Sequence, residues 1–321
     1  MHPLHSDASW ASGTSARRPT HLVPREVLQP LQRRKNRPGL IFLGAHLGLL
    51  GGTGTIVYLT SAPLWGLGAL FLHGVVLVHL FAPFHEATHA TAFEDRRLNQ
   101  GVAWFTGLVI MIPPRYFTLE HAAHHTYTQH PESDPESIPQ ATTFRGYWHY
   151  VTAIPYFHGV LKNLTHHPRG HFSPLEQSFI PERLRREVQQ EAQWMLGAYL
   201  LLLIGSVWAG SAFLFWYWLL PRILGEPVMR LVRISEHGGC PWVADLLRNT
   251  RTTRTWRPVR WLAWNMPFHA EHHAFPNVPF HALPELHRHL GPHIEHVDDG
   301  YVLSHLRLQQ ELYRQGHSQA S

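Results

Sequence analysis

From Pro38 to His85 the chain carries no Asp, Glu, Lys or Arg, a run of 48 residues. A membrane-crossing helix needs about 20 apolar residues. The run therefore accommodates two spans joined by a short turn, which "TSAP" at 60–63 supplies. A second charge-free stretch, Ala192–Pro221, has 30 residues and is short for two complete spans. It reads as a second hairpin turning near "WAGS" at 208–211, with helix ends reaching into charged interface. One long tilted helix is the alternative. The apolar runs 101–114 and 146–161 are too short to span and read as interfacial or buried segments.

Charge at the flanks sets an orientation. Arg33, Arg34, Lys35 and Arg37 precede the first hairpin, and Arg96 and Arg97 follow it. Arg183, Arg185 and Arg186 precede the second; Arg222, Arg230 and Arg233 follow it. Both outer turns are uncharged. The positive-inside rule then predicts a multi-pass integral membrane protein with both termini and the hydrophilic mass in the cytoplasm. Residues 1–30 are polar, rich in Pro and Ser, without an apolar signal core. They are expected to form a disordered tail before a membrane domain over 31–300, with a C-terminal amphipathic helix and tail at 301–321.

Histidine is the compositional anomaly: 28 residues, against 27 for Lys and Arg together. The single cysteine, Cys240, excludes an intramolecular disulfide and a cysteine-based metal cluster. The net charge of +5 comes without a long basic run, apart from "RRKNR" at 33–37. That pattern suits a juxtamembrane patch better than a nucleic-acid partner, and none is expected.

The histidines cluster at ligand spacing. "HEATH" places His85 and His89 four apart, at the end of the first apolar run. "HAAHH" places His121, His124 and His125 at i, i+3 and i+4, and "HAEHH" does the same for His269, His272 and His273. Each set lies on one face of a helix. An even number of spans separates the sets, so all can meet on one side of the membrane. Two metal ions with four or five ligands each would use eight to ten imidazoles. The three sets supply eight, and His237 in "SEHGG" would make nine. Imidazole suits iron, copper, nickel or zinc, so ligand type alone leaves the metal open.

With its three boxes, their order, the hairpin between the second and third, the "DPE" at 134–136 and "HAEHHAFPNVPFHALPELH" at 269–287, the chain resembles the membrane fatty acid desaturase superfamily over about residues 40–290. The resemblance implies an all-α integral membrane fold. Four transmembrane helices in two hairpins would carry a cytoplasmic helical cap that bears the boxes. It also implies a non-haem di-iron centre of two Fe ions that activates O2 against an unactivated C–H bond of a lipid chain. His85, His89, His121, His124, His125, His269, His272 and His273 fall on the box histidines, and His237 falls where the family commonly places one more ligand. Box three opens with His269 rather than the Gln of front-end desaturases, which sets that subgroup aside. "EHGGC" lacks the cytochrome b5 pattern, so an external electron donor of ferredoxin or cytochrome b5 type is expected.

Polar neighbours of the boxes carry paired readings. Asp134 is either an acceptor for a ligand imidazole or a turn residue before Pro135. Asn265 is either a further polar contact of the centre or a helix N-cap. Glu86 and Glu271 either orient histidines or face solvent. His46, His73 and His79 lie within spans, where ionisable residues are functional suspects but neutral buried histidines are commoner. Phe93, Trp104, Tyr116, Phe117, Trp261, Trp264 and Phe268 either line an acyl tunnel or anchor the membrane interface. Most of the histidines after box three, which are His281, His287, His289, His293 and His296, are expected at the surface. The expected activity is desaturation of an acyl chain. A hydroxylase or ketolase of the same superfamily, acting on an acyl, carotenoid or other apolar substrate, is the alternative, and a histidine-rich metal transporter is the reading from a different class.

Overall fold

The computed structural model of the chain describes Trp10, residues 15–60 and residues 62–318. The elements in chain order are α1 (Arg25–Leu31), α2 (Asn36–Leu59), α3 (Pro63–Val78), α4 (Phe81–Thr88), α5 (Arg96–Ile110), α6 (Pro114–Tyr127), α7 (Phe144–Val151), α8 (Ile154–His166), α9 (Pro174–Phe179), α10 (Glu182–Trp208), α11 (Leu220–His237), β1 (Arg251–Thr253), α12 (Arg257–Leu262), α13 (His269–Ala274), α14 (Leu283–Leu290), β2 (His296–Asp298) and α15 (Tyr301–Ser318). The fold is mainly helical. The chain divides into two compact units, one of residues 36–118 and 151–230, the other of residues 1–35, 119–150 and 231–321.

The first unit holds the apolar helices. Among the described residues, α2 and the continuous helical run Pro63–Thr88 are long and apolar enough to cross a membrane. The break between them falls where the turn is expected: α2 ends at Leu59, and Pro63 opens α3 at a position where its fixed φ and missing N–H cost nothing. Leu40, Ile41, Leu49, Ile56 and Leu59 of α2 are exposed, which suits a helix facing lipid. The shorter run around 101–114 forms α5, capped by the Asp95 carboxylate, which accepts from Arg97 N at 2.6 Å. At Met111 the backbone turns left-handed, Pro113 and Pro114 follow, and the axis bends by 95° into α6. Taken as one bent span, α5 and α6 would raise the candidates to three. The second charge-free stretch forms α10, a turn with Gly210 at φ +58°, and a π-helical turn at Phe215–Leu219 leading into α11.

His46, His73 and His79, the histidines of the apolar helices, are fastened to backbone. His46 Nε2 donates to Val76 O at 3.0 Å, and His79 Nδ1 to Val75 O at 2.7 Å. His73 lies between the Thr53 hydroxyl at 2.8 Å and Tyr217 O at 3.1 Å, so it ties α3 both to α2 and to the segment before α11. His46 and His73 fasten one helix to another, whereas His79 bonds a carbonyl of its own helix. Gly74 of α3 and Gly225 of α11 meet backbone to backbone: a Cβ on Gly74 would lie 2.0 Å from Pro221 O.

In the second unit, β1 and β2 form a short parallel ladder, Arg251 opposite His296 and Thr253 opposite Asp298. Trp264 and Phe280 are fully buried with ring centroids 4.6 Å apart, and Val278, Leu283 and Leu286 are fully buried as well. The N-terminal segment corrects the expectation of a disordered tail where it is described. Arg17 forms a β-bridge with Asp245, Ala16 N donates to Thr126 O at 2.8 Å, and Ala16 and Val23 are buried. Paired backbone and buried apolar side chains hold residues 16–23, although the composition is polar. The remainder of that expected tail lies outside the described residues, as do residues 319–321. The expected C-terminal helix is α15.

Candidate metal centre

Box two lies on α6, box three is the six-residue α13, and His237 is the last residue of α11. Helical spacing turns His121, His124 and His125 to one side of α6 and His269, His272 and His273 to one side of α13. All seven are buried, His272 and His273 completely.

His124, His237, His269 and His273 each offer one ring nitrogen to a common point, the four atoms lying within 4.8 Å of one another. His237 Nε2 and His273 Nε2 each stand 3.1 Å from His269 Nε2. The opposite nitrogens show which tautomer is present. His124 Nδ1 donates to Asp134 Oδ1 at 2.7 Å, and His237 Nδ1 donates to Asn249 O at 3.2 Å. The Thr128 hydroxyl donates to His124 O at 2.7 Å, so it accepts from His273 Nδ1 at 3.1 Å. In three of the four rings the proton is held on Nδ1, and the Nε2 lone pair faces inward. Converging lone pairs repel unless a cation lies between them. The donor set therefore fits a metal ion that accepts imidazole nitrogen.

Electrostatics agree for His237 and His273. Burial, followed by the neighbouring His124, pushes His237 down to about 3, and burial holds His273 well below the usual imidazole range. Both rings are neutral and carry free lone pairs at pH 7. Burial also opposes charge on His124, but the Asp134 and Glu136 carboxylates outweigh it and raise that ring above its ordinary value.

A second group begins beside the first. His125 Nε2 stands 3.0 Å from His121 Nε2 and 3.1 Å from His272 Nε2, and His121 Nδ1 donates to Glu136 Oε1 at 2.6 Å. In the other unit, His85 lies within α4 and His89 caps it, with ring centroids 4.7 Å apart.

Of the paired readings, Asp134 takes the one in which it holds a box histidine. It also accepts from Gln129 N at 2.8 Å, which closes the loop after α6. Asn265 is not the N-cap of α13, a position Phe268 occupies; its side chain donates to Phe280 O at 3.1 Å. At φ +58° Asn265 serves a left-handed turn, which asparagine tolerates. Glu86 and Glu271 are fully buried rather than solvent-facing. Glu86 accepts from the Thr91 hydroxyl at 2.9 Å; Glu271 accepts from the Thr252 hydroxyl at 2.6 Å and from His287 Nδ1. His287 is thus half-buried and tied to box three through Glu271. Of the seven aromatic residues, Phe93, Tyr116, Phe117, Trp264 and Phe268 are buried, whereas Trp104 is exposed as an interface anchor would be.

Sequence reasoning missed Glu136, Thr128, Asn249, Arg233 and Glu236. A signal existed for Glu136: it stands two residues after Asp134 in "DPE", and the two carboxylates serve two histidines of one box. Asn249 and Thr128 act through groups common to many residues and carry no such signal. A cavity of about 40 Å³ lies against His124, Asp134, Glu136, Arg233, His237 and Trp242, which is room for water beside the outer carboxylates.

The profile of the family "Fatty acid desaturase" matches residues 22–304. An endoplasmic-reticulum omega-3 fatty acid desaturase of Nicotiana tabacum is 23% identical over 67% of the chain and 62% of its own length. A sphingolipid delta(4)-desaturase of Drosophila melanogaster is 28% identical over 70% of the chain and 66% of its own. A sphingolipid delta(4)-desaturase/C4-monooxygenase of Homo sapiens is 25% identical over 70% of the chain and 65% of its own. The chain thus spans about three fifths of the length of the plant relatives it matches.

Proposed function

Because the chain belongs to the fatty acid desaturase family, we propose that it is an O2-dependent membrane oxidoreductase that introduces a double bond into a lipid acyl chain. The observation that carries this reading is the set of four buried imidazoles His124, His237, His269 and His273, with lone pairs turned to one point. These four would hold one iron ion. His121, His125 and His272 would hold a second, and His85 and His89, the remaining box histidines, are proposed as further metal ligands.

Iron bound there would supply O2 activation and the oxidation of an unactivated C–H bond. The residues of the chain do the rest. Asp134, Glu136, Thr128 and the Asn249 carbonyl keep the Nδ1 protons of their histidines and hold each ring at a fixed angle, as metal-bound histidines require. Buried Ala270, Ala274, Phe275 and Trp264 exclude bulk water around box three, which protects the oxidising site from side reactions.

Conversion of CH2–CH2 and O2 into CH=CH and two waters consumes two electrons and two protons. An external donor of ferredoxin or cytochrome b5 type is proposed to deliver the electrons; one Arabidopsis thaliana relative is named as ferredoxin-dependent. The substrate is proposed to be a long acyl chain of a membrane lipid, as the fatty acid and sphingolipid names of the relatives favour. We place four spans in two hairpins with termini and metal centre cytoplasmic. The basic flanks and the exposed apolar half of α10, from Leu200 to Trp208, support this.

One observation favours a second outcome at the same site: the human relative is named both desaturase and monooxygenase. Lipid mass spectrometry of a desaturase-deficient host expressing the chain separates the two. Loss of two hydrogens supports desaturation, and gain of one oxygen supports hydroxylation. Unchanged lipids from an iron-loaded, membrane-inserted chain supplied with a donor would overturn both.

A further inference from the structure

Arg233 lies on α11, one turn before His237, and is buried. Its guanidinium holds two carboxylates: one amino group donates to Glu136 Oε2, and the other to Glu236 Oε2 at 2.9 Å. Each carboxylate turns its second oxygen toward a different imidazole. Glu136 Oε1 accepts from His121 Nδ1 at 2.6 Å, and Glu236 Oε1 stands 3.7 Å from His269 Nδ1. His121 belongs to the group with His125 and His272, whereas His269 belongs to the group with His124, His237 and His273. One side chain therefore reaches the outer edge of both nitrogen groups.

We propose that Arg233 is a positioning residue that couples the two metal positions by fixing the carboxylates behind His121 and His269. The inference rests on the two-iron reading above. A carboxylate on the outer nitrogen of a ligand imidazole makes that ring a stronger donor. A guanidinium on the same carboxylate draws charge away and weakens the effect. Sharing one guanidinium between Glu136 and Glu236 sets the donor strength at His121 and His269 together. The planar fork can present two separate amino groups to two carboxylates, which the single ammonium of lysine cannot reproduce. Charge arithmetic points the same way. Without Arg233, two carboxylates lie buried beside each other, and repulsion would turn one or both away from their histidines.

The test uses the full chain, purified in detergent and titrated with ferrous iron, with iron bound per chain, Mössbauer spectrum and reduction potential as readouts besides turnover. In Arg233→Gln both iron positions should weaken together, by the 10–100-fold typical when an outer partner of a metal ligand is lost, and both potentials should shift. Glu236→Gln should weaken the His269 position and spare the other, whereas Glu136→Gln should weaken the His121 position most. Arg233→Lys retains the charge and guards against failure of the neutral variant to fold; it should not restore wild-type affinity or potentials. Wild-type iron affinity and potentials in either Arg233 variant, or the loss of one position alone in Arg233→Gln, would overturn the coupling. A wild-type chain that binds no iron would instead overturn the metal-centre reading.

Discussion

His124 and Asp134 are joined by a 2.7 Å bond from imidazole Nδ1 to carboxylate Oδ1, and each side chain is 1% exposed. Ten residues of sequence separate them, yet this contact decides which nitrogen of His124 faces the candidate centre. Asp134→Asn retains shape but removes the charge that holds the Nδ1 proton. Iron affinity and turnover should fall about 10–100-fold, read by iron titration and product formation. Wild-type values would make the bond a feature of the loop after α6 with no bearing on the metal.

His237 tests the ligand count. His237→Ala removes one of four converging nitrogens and should lose iron from that position together with nearly all turnover. His289→Ala, outside both nitrogen groups, should keep both. Normal iron content in His237→Ala would leave a site of eight protein ligands.

The Gly74–Gly225 crossing predicts a stability effect with no ligand involved. A methyl group at Gly74 would sit 2.0 Å from Pro221 O, so α3 and α11 must separate. Gly74→Ala should destabilise the folded chain by about 3 kcal/mol, at the upper end of overpacking costs. Thermal unfolding in detergent is the measurement, with Gly68→Ala, where no atom lies within 4 Å, as the neutral control.

His305 predicts a pH window. Burial, followed by the charge of Arg251, pushes this imidazole from its ordinary 6.5 down to about 4, and its Nδ1 lies 3.0 Å from the Tyr147 hydroxyl. The unfolded chain binds the proton more readily than the folded one. The contribution of His305 is therefore complete above pH 6.5 and is lost as pH falls toward 4. Hydrogen exchange in α15 should accelerate over that window, and His305→Gln should flatten the dependence. Equal pH profiles in the two chains would remove His305 as its source.

Topology gives the last test. A reporter at either terminus should be cytoplasmic, and one inserted at 60–63 external. A cytoplasmic signal from the loop would break the hairpin reading, and with it the convergence of the boxes on one side of the membrane.

The apolar helices and the histidine-bearing helix faces were legible in the chain. Absence of charge over 38–85 and the break before Pro63 located α2 and α3, because lipid tolerates apolar helices and few alternatives. The i, i+3, i+4 spacings located box faces on α6 and α13, because helical periodicity is local. Reasoning failed where a side chain acts through a partner far along the chain. Asn265, read either as a polar contact of the centre or as a helix N-cap, donates to Phe280 O across 15 residues. His287, among the histidines mostly expected at the surface, pairs with Glu271 across 16 residues.

The sequence by itself determined which residues offer nitrogen and on which helix faces, since both follow from residue type and a short-range backbone period. Tertiary structure alone decided which nitrogen of each ring faces inward. That choice depends on where an acceptor lies: Asp134 beside His124, Asn249 O beside His237, Thr128 beside His273 across 145 residues. An imidazole has two nearly equivalent nitrogens, and only a hydrogen bond to one of them makes the other a ligand.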